Sequence, residues 1–253
     1  MMMIATDLDS TLLRNDKSLS DYTAQVLRQC QARGIKVVAA TGRRRLSALQ
    51  FVDPAMFDAM ICTNGAQTHI DDKLVYECTI PRKISTTLLL ELHECPDIHE
   101  IFAQSADYYF RTPPLSEWSY ELKGDDVIYD FSQPLDDDIL RIFFPSTDHT
   151  YAANLMCRYP QLHIKLFSDV GVYDITCTTK AHAIEALAAH WDIAMSDIVA
   201  FGDDFNDVDM LRTCGTGVAV ANAIDQARAA ADSICDSNEN DGVAKWIGEQ
   251  IFT

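Results

Sequence analysis

Three short polar clusters in this 253-residue sequence carry side chains that could do chemistry together: Asp7-Leu8-Asp9-Ser10-Thr11, Thr41-Gly42-Arg43 and Gly202-Asp203-Asp204-Phe205-Asn206-Asp207. If Asp7, Asp9 and Asp203 meet in one pocket, their like charges repel unless a cation sits between them. Oxygen donors without Cys or His favour a hard ion. Mg²⁺ characteristically takes one or two carboxylates, several waters and a substrate phosphate. A phosphate among carboxylates needs positive charge beyond the metal. Lys180, at the start of a predicted helix, offers a compact ammonium for a phosphoryl oxygen. Thr41 and the backbone N–H groups around Gly42 offer neutral donors.

The flanking patterns say how such clusters could converge. Residues 2–7, 35–40, 59–62 and 198–201 are short apolar runs, each ending in polar residues. Unbroken apolar strands that alternate with helices indicate a parallel sheet covered on both faces. A helix is expected over 19–33, with Tyr22, Val26, Leu27 and Cys30 on one stripe and Gly34 as the stop. Another should run through Phe51. The helix that begins at Lys180 is striped by Ile184, Leu187, Ala188 and Trp191, and is followed by a strand ending in Gly202, helix 207–213, strand 216–220 and helix 224–231. In an open parallel sheet, ligands bind at the carboxyl ends of the strands, where residues distant in sequence meet.

The alternation is lost between Ile80 and Thr178. Helix-like pieces at 84–94 and 149–158 mix there with strand candidates at 98–103, 139–144 and 162–168. The expected organisation is therefore one α/β domain built from residues 1–80 and 179–253, with an α+β domain inserted over 81–178.

Composition narrows the function. With 20 Lys and Arg against 38 Asp and Glu, the formal charge is −18. The acidity is shared between the insert and the rest of the chain, as expected of a solvated surface. It argues against a general nucleic-acid or anionic-membrane binder. No apolar run approaches the roughly 18 residues of a transmembrane helix. The eight cysteines form no Cys-x-x-Cys pair or short-spaced framework, and Cys62 and Cys177 read as buried thiols in apolar runs. Without a basic, apolar leader at the N-terminus, a reducing cytoplasm is the expected location. The histidines show no zinc-site spacing.

Taken in order, Asp7-Leu8-Asp9-Ser10-Thr11-Leu12-Leu13, Ala40-Thr41-Gly42-Arg43, Lys180 and Gly202-Asp203-Asp204-Phe205-Asn206-Asp207 resemble the four motifs of the haloacid dehalogenase superfamily. Gly217-Val218-Ala219-Val220-Ala221-Asn222-Ala223 and Asn240-Asp241-Gly242-Val243-Ala244 are similar to its Cof-type (IIB) sugar-phosphatase branch. The resemblance spans the chain and implies a Rossmann-like core, with the insert as an α/β cap. It also implies roles. Asp7 would attack phosphorus and form an aspartyl-phosphate, and Asp9 would protonate the leaving oxygen and then activate water. Mg²⁺ would be held by Asp7, the backbone carbonyl of Asp9 and Asp203. Thr41, Lys180 and Asn206, with Gly42 and Ser10, would bind the phosphoryl group, and Asp207 would orient Lys180. Ser10, Ala181 and Ala221 stand where the branch usually has Gly.

The expected activity is Mg²⁺-dependent hydrolysis of a small phosphorylated metabolite, such as a sugar phosphate, with no nucleic-acid or membrane partner. A phosphomutase of the same branch and a receiver-like signalling module are the alternatives. Asn64-Gly65 reads as a turn held in reserve for the site, and Arg43-Arg44-Arg45 as a solvated helix face from which Arg43 could touch substrate.

Overall fold

The computed structural model describes residues 2–113, 126–146, 149–167 and 171–252. The chain divides into two compact units, Met1–Glu77 with Thr179–Thr253, and Cys78–Thr178.

The first unit begins with β1 (Met3–Thr6), α1 (Asp21–Ala32), β2 (Lys36–Ala40), α2 (Arg45–Ala48), β3 (Ala59–Cys62), β4 (Gln67–Ile70) and β5 (Lys73–Glu77). The inserted unit contributes α3 (Arg82–Glu94), β6 (Phe102–Gln104), β7 (Tyr109–Arg111), β8 (Asp126–Ile128), β9 (Arg141–Pro145), α4 (His149–Arg158), β10 (His163–Phe167) and β11 (Val172–Thr176). The chain then returns to the first unit with α5 (Lys180–His190), β12 (Ile198–Gly202), α6 (Val208–Thr213), β13 (Thr216–Val220), α7 (Asp225–Ala230), β14 (Ser233–Cys235) and α8 (Gly242–Gln250).

The core sheet has the order β14-β13-β12-β1-β2-β3-β4-β5. It is parallel from β14 to β3 and ends in an antiparallel pair of strands. Every residue of β1, β3 and β12 is buried, because successive side chains point to opposite faces and both faces are covered. Ile4, Val37, Ala39, Val199 and Phe201 pack with Val26 and Leu27 of α1 and Ile247 of α8. Met3, Ala5, Val38, Ala40 and Ala200 pack on the other side with Ile184 and Leu187 of α5 and Met210 of α6.

The inserted sheet has the order β10-β11-β9-β6-β7-β8 and is antiparallel except between β7 and β8. Alternate residues Ala103, Phe110, Ile142, Phe144, Tyr173 and Ile175 form one hydrophobic cluster with Leu88, Leu89 and Leu92 of α3 and Leu155 of α4. The other alternation carries Phe102 and Phe143, stacked at 4.6 Å between ring centres. The guanidinium groups of Arg111 and Arg141 lie 5.0 and 4.9 Å from those rings.

Mixed α/β architecture with a second, inserted sheet is therefore what the chain adopts, with several local differences from the patterns expected. Tyr22, expected on the buried stripe of α1, is 45% exposed, and Thr23 takes its place. The helix expected through Phe51 stops at Ala48 and finishes in turns. In the insert, strands expected over 98–103, 139–144 and 162–168 lie at Phe102–Gln104, Arg141–Pro145 and His163–Phe167, residue 168 being outside the described residues. The hairpin of β4 and β5 gives little sequence signal, since most β5 side chains are exposed and it turns on Asp71-Asp72 rather than a glycine pair. Cys177, expected as a buried thiol, is partly buried and disulfide-bonded to Cys78. Their separation of 99 residues left no local pattern to read.

Candidate active site

Four adjacent parallel strands, β12, β1, β2 and β3, deliver the polar clusters from their carboxyl ends. Asp7 follows β1, and its N–H donates to the Phe201 carbonyl of the neighbouring strand at 2.9 Å. Asp203 follows β12 directly. Thr41 follows β2, and its N–H donates to the Ile61 carbonyl of β3 at 2.8 Å. Lys180 enters as the first residue of α5, whose Thr179 hydroxyl accepts from the His182 N–H.

The buried Lys180 ammonium donates to Asp7 Oδ1 at 2.6 Å and to Asp207 Oδ1 at 2.7 Å. The second oxygen of Asp207 accepts the backbone N–H groups of Asp203 and Asp204 at 2.9 and 3.1 Å. Asp207 thus fixes both the lysine and the loop that carries Asp203. That loop also depends on Gly202, where a Cβ would lie 2.4 Å from the Asp207 Cβ. Asp203 is steadied by the Thr11 hydroxyl, which donates to its Oδ1 at 2.6 Å. Carboxylate oxygens of Asp7, Asp203 and Asp207 all fall within 4.8 Å of one another.

Three carboxylates against one ammonium leave the cluster electrically unbalanced. Burial pushes the Asp7 carboxyl well above its ordinary range; Lys180 opposes the shift, while Asp207 and Asp203 add to it. Burial, followed by the charge of Asp207, raises Asp203 to about 7. Burial alone would lower the Lys180 pKa, but Asp207 and Asp7 outweigh it and raise it. A cation between Asp7 and Asp203 would reverse both carboxyl shifts, since opposite charge favours the ionised form. The hard oxygen donors suit a divalent ion of the Mg²⁺ kind. A divalent metal of this kind therefore fits the residues present. Asp207 is the weaker ligand, both of its oxygens being engaged already.

A second group gathers beside the first. The Asn206 amide donates to Asn64 Oδ1 at 2.9 Å. A Cβ on Gly42 would sit 3.0 Å from that same oxygen and 3.6 Å from Asn206 Nδ2. Asn64, held in reserve from the sequence, therefore belongs with Gly42 and Asn206, and takes a left-handed conformation to get there (φ 54°). Thr41 is buried, and its hydroxyl accepts the Arg43 N–H at 3.1 Å.

Asp9 is turned to a third set of partners. Arg43 grips its carboxylate through Nε at 2.5 Å and Nη2 at 2.6 Å, and Lys17 Nζ lies 2.9 Å from Oδ1. Burial works against ionisation, but hydrogen bonds from Arg43 and Lys17 prevail and lower the pKa of Asp9. The Asp9 side chain is accordingly absent from the carboxylate cluster, which contains Asp207 instead. Arg43 is an ion-pair partner inside the site rather than part of a solvated face. Nothing in the spacing of Asp9, Lys17 and Arg43 announced this clamp, which exists because β1 and β2 are neighbours.

The segment around Ser10 is held from the far end of the chain. Ser10 has φ 58°, and its carbonyl accepts from Asn222 Nδ2 at 2.7 Å. The Asn222 Oδ1 accepts the Asn238 N–H, and the Asn238 amide reaches the Leu13 carbonyl. Ala181 sits inside the regular α5 helix, and Ala221 is not among the residues with positive φ. Neither position needs the glycine usual in the branch.

Residues 4–247 match the model of the haloacid dehalogenase-like hydrolases, and the chain belongs to that family. Among curated relatives, it is 26% identical to the 5-amino-6-(5-phospho-D-ribitylamino)uracil phosphatase YitU of Bacillus subtilis over 263 residues, covering 98% of this chain and 96% of that protein. It is also 26% identical to the phosphatase YwpJ of the same organism over 281 residues, covering 98% and 99%. In fold it matches the subclass IIB sugar phosphatase BT4131 with a TM-score of 0.83 at 22% identity, covering 98% of each chain. The phosphatase BT1666 from Bacteroides thetaiotaomicron gives 0.82 at 23%, covering 98% and 94%.

Proposed function

We propose that this haloacid dehalogenase-family phosphatase is Mg²⁺-dependent and releases phosphate from a sugar or sugar-alcohol phosphate through an aspartyl-phosphate on Asp7. The observation that carries the reading is Lys180 suspended between Asp7 and Asp207, with Asp203 alongside, at the ends of adjacent parallel strands. Two of the relatives whose names specify a substrate class, a ribityl phosphate and sugar phosphates, share a phosphate ester on a polyhydroxylated carbon chain.

In this reading an oxygen of Asp7 attacks phosphorus while Lys180, anchored by Asp207, neutralises the phosphoryl oxygens. Positioning and charge neutralisation of this kind account for most catalysis in phosphoryl transfer. Asn206, Gly42, Thr41 and Ser10 line the phosphoryl group with neutral donors. A Mg²⁺ held by Asp7, Asp203 and the Asp9 backbone carbonyl would supply Lewis-acid stabilisation of the same charge. An alkoxide is a poor leaving group, so Asp9 must deliver a proton to it. Arg43 and Lys17 favour its ionised form, so acid catalysis requires the substrate to draw those cations away or offset them. With water as the second nucleophile, Asp9 then acts as base.

The test is phosphate release from a panel of hexose, pentose and alditol phosphates, with and without Mg²⁺. Turnover of several members only with the metal supports the reading. Isomerised sugar phosphate in place of free phosphate would convert the assignment to a mutase, and a stable phospho-enzyme without turnover to a receiver-like module.

A further inference from the structure

The eight cysteines occupy three kinds of surroundings. Cys30, Cys62, Cys214 and Cys235 are buried in the core, where burial pushes the Cys30 thiol up to about 11 and the other three to about 12. Such thiols stay protonated and inert. Cys95 and Cys157 lie in the insert and form no disulfide. Cys78 and Cys177 are bonded to each other, with Cα atoms 6.3 Å apart, a span a disulfide bridges without backbone movement. Both are partly buried.

Their places in the chain are particular. Cys78 is the first residue of the inserted unit and Cys177 its last but one. One bond therefore ties together the two segments by which the insert leaves and rejoins the core. From Cys177 the path to Lys180 is three residues long and held at each step. The Thr178 carbonyl accepts the Thr176 hydroxyl at 2.7 Å, and Thr179 caps α5. Gly65 packs so closely on Thr179 that a Cβ there would lie 2.2 Å from its carbonyl oxygen. Whatever fixes Cys177 also bears on the backbone that presents Lys180.

We propose that Cys78 and Cys177 form a reversible redox site: as a disulfide they lock the two connecting segments and slow turnover, and as dithiols they release them. The oxidant is a low-molecular-weight disulfide. One cysteine thiolate attacks a sulfur of that disulfide and expels a thiolate, which takes up a proton. The second cysteine then attacks the protein-side sulfur of the mixed disulfide and expels the second small thiol. The protein thus gives up two electrons and two protons, and the small disulfide leaves as two thiols; a reducing dithiol reverses both exchanges. Slowing follows because the tied segment leads directly into the backbone that presents Lys180, and conformational steps limit turnover in many enzymes. The regulation rests on the phosphatase reading of the site.

The experiment uses the full chain with Cys157→Ser, which removes an exposed competing thiol, equilibrated with oxidised glutathione or with dithiothreitol. Alkylation under denaturing conditions, read by intact mass, should find two fewer reactive cysteines in the oxidised sample, at Cys78 and Cys177 on peptide mapping. With Mg²⁺ and an aryl phosphate, kcat should fall by about threefold or more on oxidation and recover on reduction. Adding Cys78→Ser or Cys177→Ser should hold kcat at the reduced value under both conditions. Failure of the reduced pair to bond, equal kcat in the two forms, or redox sensitivity that survives in either variant overturns the proposal. If the reduced enzyme releases no phosphate from any substrate, the phosphatase reading has failed. The latch is then judged by hydrogen exchange over residues 176–180: slower exchange in the oxidised form supports it, and equal exchange overturns it.

Discussion

Lys180 in the core and Arg141 in the inserted unit are both cations drawn largely out of water, and each has an aspartate against it. Their settings differ in kind. Lys180 faces carboxylates that outnumber it, held close together by backbone donors and a hydroxyl. Arg141 lies over the Phe143 ring and bonds Asp174 on the neighbouring strand. An ion pair laid on an aromatic ring is a packing device. A cluster with surplus negative charge is costly unless a ligand completes it, and that surplus sets the core apart as the candidate site.

The largest effect should come from Asp7→Asn, which keeps the shape of the cluster but removes the nucleophile. Turnover should fall by a factor on the order of 10⁴ or more, read as phosphate release under saturating Mg²⁺; retained activity would remove the basis for setting the core apart. Next, Asp9→Asn should lower kcat on an alkyl phosphate by roughly 10²–10⁴-fold and much less on p-nitrophenyl phosphate, whose leaving group needs little protonation. Equal losses on both substrates would make Asp9 a structural partner of Arg43 rather than an acid.

On the other side of the comparison, Arg141→Met keeps an apolar stem over Phe143 but deprives the 5%-exposed Asp174 side chain of a partner. Urea unfolding should register a loss of about 3 kcal/mol with the Mg²⁺ dependence of activity unchanged. A change in metal affinity would erase the distinction.

The smallest effect is a pH dependence. With Asp203 raised from 3.8 to about 7, the native metal-free protein keeps a proton that the unfolded chain has already lost. Its contribution to stability is present below about pH 4 and is lost as pH rises to about 7. The metal-free Tm should therefore drop by roughly 5 °C between pH 6 and pH 8, and Mg²⁺ should abolish most of the drop by favouring the ionised carboxylate. A pH-independent metal-free Tm would mean the cluster is not strained by its own charge.

Legibility in the sequence followed the same division. Strands β1, β2, β3 and β12 could be read because burial on both faces makes them continuous apolar runs, and the polar residues that end each run marked the site. Of the insert's strands, β6, β9 and β10 were read with shifted ends and β7, β8 and β11 were not read at all, because a sheet with one face packed on helices and the other lined by Phe, Tyr and Arg gives a mixed pattern. Within the site, the residues of the four clusters could be named from their order in the chain. Partnerships could not: the grip of Arg43 and Lys17 on Asp9, the Asn64–Asn206 bond and the Thr11–Asp203 bond all depend on which strands are neighbours. The Cys78–Cys177 bond escaped for the same reason.

One consequence of the strand order concerns synthesis. Met3 of β1 pairs with Ile198 of β12, so the centre of the core sheet cannot be completed until β12, which follows the entire insert, has left the ribosome. The insert is a single continuous stretch with its own hydrophobic cluster, and all of it is translated before β12. At about 5–20 residues per second, β1 to β3 wait on the order of ten seconds for the strand that covers their open edge, while the insert is free to fold. The unit that carries the candidate site is thus completed after the insert. Asp7 and Asp203 first meet only after the insert has been made, so their charge-strained cluster does not exist while the insert is still being translated.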